Sequence, residues 1–264
     1  MRPILFHLGE LAVPSFWVAA LGGFFLAFLV IRSEVLRRGL DLELAYDITL
    51  YAYIGGWVGA RLFLIPSGWQ YFIDDPIAFL LSSSGWVWYG GVIGGAFAVW
   101  LLGRRRRLPF LLFADLVAPA LALGLATGRI GCQLSGDGDY GVPTNLPWAM
   151  SYPNGVVPTT ERVHPAPIYE LVACVAIFAY LWRRRTRPLP LGDQFGRYLV
   201  LSAVERFLIE FVRRNPRWLV GFTTAQWTSV AMLLLGVALV RQGERRGVYV
   251  HPGAEPGGLV TSGP

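Results

Sequence analysis

Two arginines stand where long apolar segments give way to polar sequence. Arg129 lies in Gly128-Arg129-Ile130-Gly131-Cys132-Gln133-Leu134-Ser135-Gly136-Asp137-Gly138-Asp139-Tyr140-Gly141, and Arg206 opens Arg206-Phe207-Leu208-Ile209-Glu210-Phe211-Val212-Arg213. The guanidinium group is a planar fork that keeps its proton and grips phosphate-like oxyanions through two parallel hydrogen bonds. A charged side chain at membrane depth is costly, so an arginine retained there is by default a functional group. Glu210, four residues after Arg206, has the helical spacing of a partner that fixes it. Arg213, Arg214 and Arg217 follow directly and read equally as headgroup anchors or as a solvated helix end.

The elements that must position these residues follow from composition. The chain is 54% hydrophobic and 15% charged, with a mean hydropathy of +0.48, whereas soluble proteins average about a quarter charged residues. It is therefore read as an integral membrane protein. Spans need about 20 mostly apolar residues, which predicts about seven helices, over 11-31, 45-65, 86-103, 110-130, 167-182, 194-213 and 222-240. The apolar runs are far too long for barrel strands, so the fold class is all-α, each span satisfying its own backbone hydrogen bonds.

Every one of the 23 basic residues is an arginine. Clusters follow the first, third, fifth and seventh spans, at Arg32, Arg37 and Arg38, at Arg104 to Arg107, at Arg183 to Arg187, and at Arg241, Arg245 and Arg246. All fall on one side, which the positive-inside rule makes cytoplasmic, with the N-terminus outside and the C-terminus inside. The net charge of +6 thus reads as topological anchoring, not as a continuous patch for nucleic acid. Residues 1-242 read as one membrane domain. Within it, the proline-rich loop 131-166 is long enough to form a small outward-facing head. The Gly- and Pro-rich stretch 243-264 reads as a disordered cytoplasmic tail. Gly55, Gly56 and Gly59, with Gly90, Gly91, Gly94 and Gly95, form small-residue faces suited to close helix packing or to close ligand approach. Cys132 and Cys174 lack metal-ligand spacing, so neither a metal nor a cofactor is expected.

Several stretches resemble one family when taken together. They are the Gly128 to Gly141 segment, Pro147-Trp148-Ala149-Met150, His164-Pro165-x-x-Ile168-Tyr169-Glu170 and Arg206-Phe207-x-x-Glu210-Phe211-x-Arg213. Weaker supports are Gly59-Ala60-Arg61-Leu62, Tyr89-Gly90-Gly91-x-Ile93-Gly94 and Gln226-x-x-Ser229. In order and spacing, over about residues 13 to 240, these resemble the prolipoprotein diacylglyceryl transferases. The resemblance implies a bacterial inner-membrane enzyme acting on phosphatidylglycerol and on prolipoprotein signal peptides with a lipobox cysteine. The diacylglyceryl group passes to the cysteine thiol as a thioether, and glycerol phosphate is released.

On that resemblance, Arg129 and Arg206 hold the lipid phosphate and stabilise the leaving glycerol phosphate. Glu210, Arg213, Arg61, Gly141 and His164 line the substrate site, though His164 also reads as a hydrogen-bonding residue at a helix entry. Three positions depart from the family pattern. Tyr89 replaces a histidine proposed as base, Cys132 replaces an asparagine, and Trp17 stands where a tyrosine is common. Tyrosine is a poor base near neutrality, so the acidic role passes to Asp137 or Asp139, with Asp137 preferred. A non-catalytic lipid-binding paralogue that keeps the arginines is the second reading. A channel is disfavoured because the polar groups do not line a continuous path.

Overall fold

The computed structural model describes residues 1–81, 87–246, 248–250 and 259–261. It is mostly helical: α1 Ser15–Arg37, α2 Leu42–Leu62, α3 Trp69–Asp74, α4 Pro76–Leu81, α5 Trp88–Arg106, α6 Phe110–Ser135, α7 Ala166–Arg184, α8 Asp193–Ile209 and α9 Thr224–Arg246. A helix lies over each stretch expected to span. Four of them, α1, α6, α7 and α9, are long and apolar enough by length and composition to cross a membrane. The others are shorter or more polar: α2 carries Glu43, Asp47 and Arg61, α5 ends in Arg104, Arg105 and Arg106, and α8 has 17 residues including Asp193, Arg197, Glu205 and Arg206.

The helices dominate, as the all-α expectation has it, and three small sheets join them. β1 (Ile4–Leu8) and β2 (Leu11–Pro14) form a hairpin before α1, tied down where the Arg2 N–H donates to the Leu134 carbonyl at 2.9 Å. β3 (Met150–Tyr152) and β4 (Thr159–Val163) pair antiparallel within the expected head, with Met150 opposite Val163. β5 (Leu189–Pro190), β6 (Val248–Val250) and β7 (Leu259–Thr261) form the third sheet. Strands this short carry no period-2 pattern long enough to read. In the stretch 243-264, Gly243 to Arg246 continue α9, β6 and β7 are strands, and the rest lies outside the described residues.

The chain divides into two compact units, Leu40–Phe113 and the remainder. In the first of these, α2 packs on α5 through facing glycines. A Cβ on Gly59 would lie 2.3 Å from the Gly90 carbonyl oxygen, and one on Gly94 would lie 2.3 Å from that of Gly55. Those glycines therefore serve close packing, which is what holds helices together where lipid removes the hydrophobic driving force. An Arg106–Asp47 ion pair closes the arginine-rich end of the same pair.

In the other unit, α6, α7 and α8 share a core of Ala118, Ala122, Ile177, Leu181, Tyr198 and Leu199, with Met232 and Leu239 of α9 against it. The buried carboxylate of Asp115 in α6 accepts from the N–H groups of Gly192 (2.7 Å) and Phe195 (2.9 Å), so one helix supplies the cap that starts another. Fully buried Glu34 ties α1 to α7, 2.7 Å from Arg37 and 3.1 Å from Arg185. At the start of α9, Thr223 and Gln226 exchange hydrogen bonds of 3.0 and 3.2 Å, a reciprocal cap that accounts for Gln226 structurally.

Candidate active site

The last turns of α6, the first turns of α7 and the last turn of α8 come together. Arg129 projects from α6, Glu170 from α7 and Arg206 from α8, and Arg213 enters from the segment just beyond α8. Glu170, 2% exposed, is the hub. Its carboxylate pairs with Arg129 Nε, accepts from Arg206 Nη1 at 3.1 Å and accepts from Arg213 Nη1 at 2.9 Å.

Asp139 supplies the second bridge, pairing with Arg129 through one carboxylate oxygen and with Arg213 through the other. It reaches them because the chain turns sharply after α6, with Gly136 at φ +60° and Gly138 at φ +95°, values that glycine adopts without a Cβ clash. Burial alone would raise the Asp139 pKa, but Arg213 and Arg129 outweigh it and hold the carboxyl below its ordinary value. Asp137 forms no ion pair among the described residues. Its Oδ1 accepts from the Asp139 N–H at 3.3 Å, bracing the turn that aims Asp139.

Glu210 is buried on the far side of Arg206, its Oε2 3.1 Å from Arg206 Nη2, while its Oε1 accepts from Asn215 Nδ2 at 2.6 Å. Three arginines against Glu170 and Asp139 leave one positive charge in excess, which Glu210 balances. Arg129 and Arg206 are not sealed, with 21% and 28% of their side chains exposed. Arg129 is engaged through Nε by Glu170 and through Nη1 by Asp139 and Cys132.

The head is stitched to this cluster by backbone. The Gly141 N–H donates to the His164 carbonyl at 2.8 Å, and the Val142 N–H donates to the Val212 carbonyl at 2.8 Å. Gly141 is required sterically, since a Cβ there would lie 2.3 Å from the Val212 oxygen and 2.8 Å from His164 Cβ. Arg214 reinforces the seam, donating from Nε to the Gly141 carbonyl at 3.0 Å and from Nη2 to Glu161 at 2.9 Å. Tyr140 and Tyr152 stack 4.9 Å apart over buried Val163, and the Tyr152 hydroxyl donates to Gln133 Oε1 at 3.0 Å on α6.

His164 faces the Tyr169 hydroxyl at 3.3 Å, and Tyr169 also accepts from Trp148 Nε1 at 2.7 Å, so these three residues form a chain at the entry to α7. Cys132 is buried one turn after Arg129, whose Nη1 donates to its sulfur at 3.8 Å. Cys132, Asp137 and Asp139 bring ligand atoms within 4.8 Å of one another. With Asp139 committed to two arginines, that set does not suit a metal cation. Trp17 is half-exposed on the first turn of α1, its ring edge-on to Phe16. Tyr89 and Arg61 belong to the Leu40–Phe113 unit, where Tyr89 is half-exposed on the first turn of α5 and Arg61 is buried near the end of α2.

Sequence reasoning thus brought Arg129, Arg206, Glu210, Arg213, Gly141 and Cys132 toward one locality but did not single out Glu170 or Asn215. A signal for Glu170 existed: residues 166 to 182 contain no basic residue, so a glutamate on that apolar helix had to find its partners elsewhere.

Four helices long and apolar enough to cross a membrane, with arginines and carboxylates paired at the ends of α6, α7 and α8, are the features of an integral membrane protein. The model of the prolipoprotein diacylglyceryl transferase family matches residues 3–241, and the chain belongs to that family. Similar proteins bearing the name phosphatidylglycerol-prolipoprotein diacylglyceryl transferase include one from Chromohalobacter salexigens, 35% identical over 90% of this chain and 90% of its own length. One from Cupriavidus necator is 34% identical over 96% and 94%, and one from Clostridium tetani is 31% identical over 90% and 96%.

Proposed function

We propose that this protein transfers the diacylglyceryl group of phosphatidylglycerol to the lipobox cysteine of prolipoproteins, the first step of lipoprotein maturation. The substrate thiolate attacks the diacylglyceryl carbon bonded to the phosphate oxygen. The C–S bond forms, the C–O bond breaks, and the electron pair leaves on glycerol phosphate. The observation that carries this reading is the convergence of Arg129, Arg206 and Arg213 on Glu170. Shared carboxylates hold the guanidinium forks in place before substrate arrives, so little reorganisation is needed as charge grows on the leaving group. Arg129 and Arg206, both partly exposed, take the phosphate; Arg213 and Glu210 position them.

A free thiol has a pKa of about 8.5, so its proton must be accepted. Asp139 is unsuited, being held ionised between two arginines. Asp137, with no ion pair and with Cys132 beside it, assists the thiol. On the family resemblance, Tyr89 acts as a hydrogen-bonding group toward the headgroup, and Trp17, Arg61, Cys132, Gly141 and His164 take part in substrate binding. The family match along nearly the whole chain favours the enzyme over a non-catalytic lipid-binding paralogue.

Residues 1-242 act as one transferase domain in the bacterial inner membrane, crossing it with seven helices. The N-terminus and the 131-166 head face outward, and the C-terminus is cytoplasmic. The arginine distribution supports that orientation. Reporter fusions near Asp74 and Asn154 should read as external, and cytoplasmic readings at both would overturn it. For the chemistry, Arg129→Ala and Arg206→Ala should each abolish transfer of radiolabelled lipid to a lipobox peptide while the protein stays folded in detergent. Lysine at either position should restore little, since a point charge cannot make the bidentate contact. Near-normal activity in either alanine variant, at equal protein level, would remove that residue from the clamp.

A further inference from the structure

At the end of α8 opposite Arg206, a cavity of about 400 Å³ opens between α7, α8 and α9. Val200 of α8 and Val240 of α9 stand in its apolar walls, and Tyr180, Arg197, Arg241 and Glu244 supply its polar groups. The helices meet nearby, since a Cβ on Gly236 would lie 2.6 Å from the Gly196 carbonyl oxygen. The cavity is therefore a splay fixed by close packing beside that crossing.

One side of it is rigid. Buried Asp193 holds Arg197 Nε at 3.0 and 2.9 Å and Arg184 Nη2 at 3.2 Å, and Arg197 Nη1 donates to the Tyr180 hydroxyl at 3.5 Å. Arg197 Nη2 is left without a partner among the described residues. The other side is open. Arg241 and Glu244 are exposed and three residues apart on α9, yet neither forms an ion pair or hydrogen bond among the described residues, with each other or with anything else. An uncommitted cation and an uncommitted anion thus border one apolar cavity.

The geometry points to a bound zwitterionic phospholipid with a primary ammonium, of the phosphatidylethanolamine type. Its phosphate sits on Arg241 and Arg197 Nη2, its ammonium on Glu244, and an acyl chain against Val200 and Val240. Charge complementarity selects this occupant. Phosphatidylglycerol offers no cation to Glu244, and the quaternary ammonium of phosphatidylcholine has no N–H to donate. The site lies at the helix ends that carry Arg183 to Arg187 and Arg241, away from the Glu170 cluster. It is thus a second lipid site, independent of the transfer chemistry.

The test is lipid retention, followed by native mass spectrometry after release from nanodiscs holding equal parts of the three lipids. Full-length protein carrying Arg129→Ala is used, so that lipid held at the transfer site contributes least. Phosphatidylethanolamine should be retained over the other two. Glu244→Gln should cut its retention about fivefold and erase the preference over phosphatidylcholine, as for a partly exposed ion pair. Arg241→Gln should weaken all three. In the wild-type background Glu244→Gln should leave the transfer rate unchanged, which separates this site from the reaction. Equal retention of the three lipids, a preference for phosphatidylglycerol, or no effect of either substitution would overturn the assignment.

Discussion

Replacing Glu170 by glutamine removes one charge without changing side-chain size, and it does so where three guanidinium groups share that charge. Glu170 is 2% exposed, so water cannot stand in for the lost carboxylate. Leaving a buried partner uncompensated costs about 3–5 kcal/mol. Each arginine keeps a second carboxylate, Asp139 for Arg129 and Arg213, and Glu210 for Arg206, so the low end, about 3 kcal/mol, is the figure to carry forward. If the loss falls on stability, the melting temperature drops by about 6–12 °C for a chain of this size. If the arginines instead splay and the phosphate is held less well in the transition state, about 3 kcal/mol is on the order of a hundredfold in kcat. The assay is transfer of radiolabelled phosphatidylglycerol to a lipobox peptide in proteoliposomes, with melting followed on the same preparation. Glu170→Asp keeps the charge but shortens the reach, so it should preserve more stability than activity. A glutamine variant within about threefold of wild type in rate and with unchanged melting would show that Glu170 does not organise the cluster.

Asp139→Asn should lower the melting temperature at neutral pH, and the sign of its pH dependence is fixed. The folded-state pKa lies below the ordinary value of about 3.9, so the stabilisation is complete above that value and fades as pH falls through the lower, folded one. The melting difference between wild type and Asp139→Asn should therefore narrow below about pH 4, and a gap unchanged down to the lowest measurable pH would contradict the pairing. Asp137→Asn, which breaks no ion pair, should leave melting unaltered but slow kcat on the order of a hundredfold; a full rate across pH 6 to 9 would show that Asp137 accepts no proton. Gly141→Ala forces a Cβ to 2.3 Å from the Val212 carbonyl and should cost about 1–3 kcal/mol, lowering melting and rate together; normal behaviour in both would mean that the seam yields without strain. Tyr89→Phe should slow transfer moderately while Tyr89→His is tolerated and extends activity to lower pH, since histidine titrates near 6.5. An inactive Tyr89→His would argue against a hydrogen-bonding role.

The helices were legible because hydrocarbon leaves the chain few options: a long apolar run has to be a helix that satisfies its own backbone. Arg129 and Arg206 were legible for the converse reason, as charges where hydrocarbon was expected. Glu170 was harder, because one glutamate near the start of a helix reads as ordinary, and its importance rests on three partners from different parts of the chain. The choice between Asp137 and Asp139 for the arginine bridge depends on the backbone at Gly136 and Gly138, and two glycines two residues apart permit several paths. The head strands were illegible because Met150–Tyr152 is three residues long and owes its pairing to β4 and to Tyr140 stacking, neither of which leaves a local periodicity.

The absence of lysine carries a consequence for enzymology. Arginine keeps its proton at any ordinary assay pH, so the cationic half of the cluster is electrostatically constant over the range in which an assay is run. A fall in rate on acidification then points to a carboxylate or to the substrate thiol losing its anion. On the alkaline side the incoming thiol, ordinarily near about 8.5, gains its anion. With every one of the 23 Lys/Arg positions an arginine, no lysine ammonium can lose its proton and shape a basic limb of the pH profile.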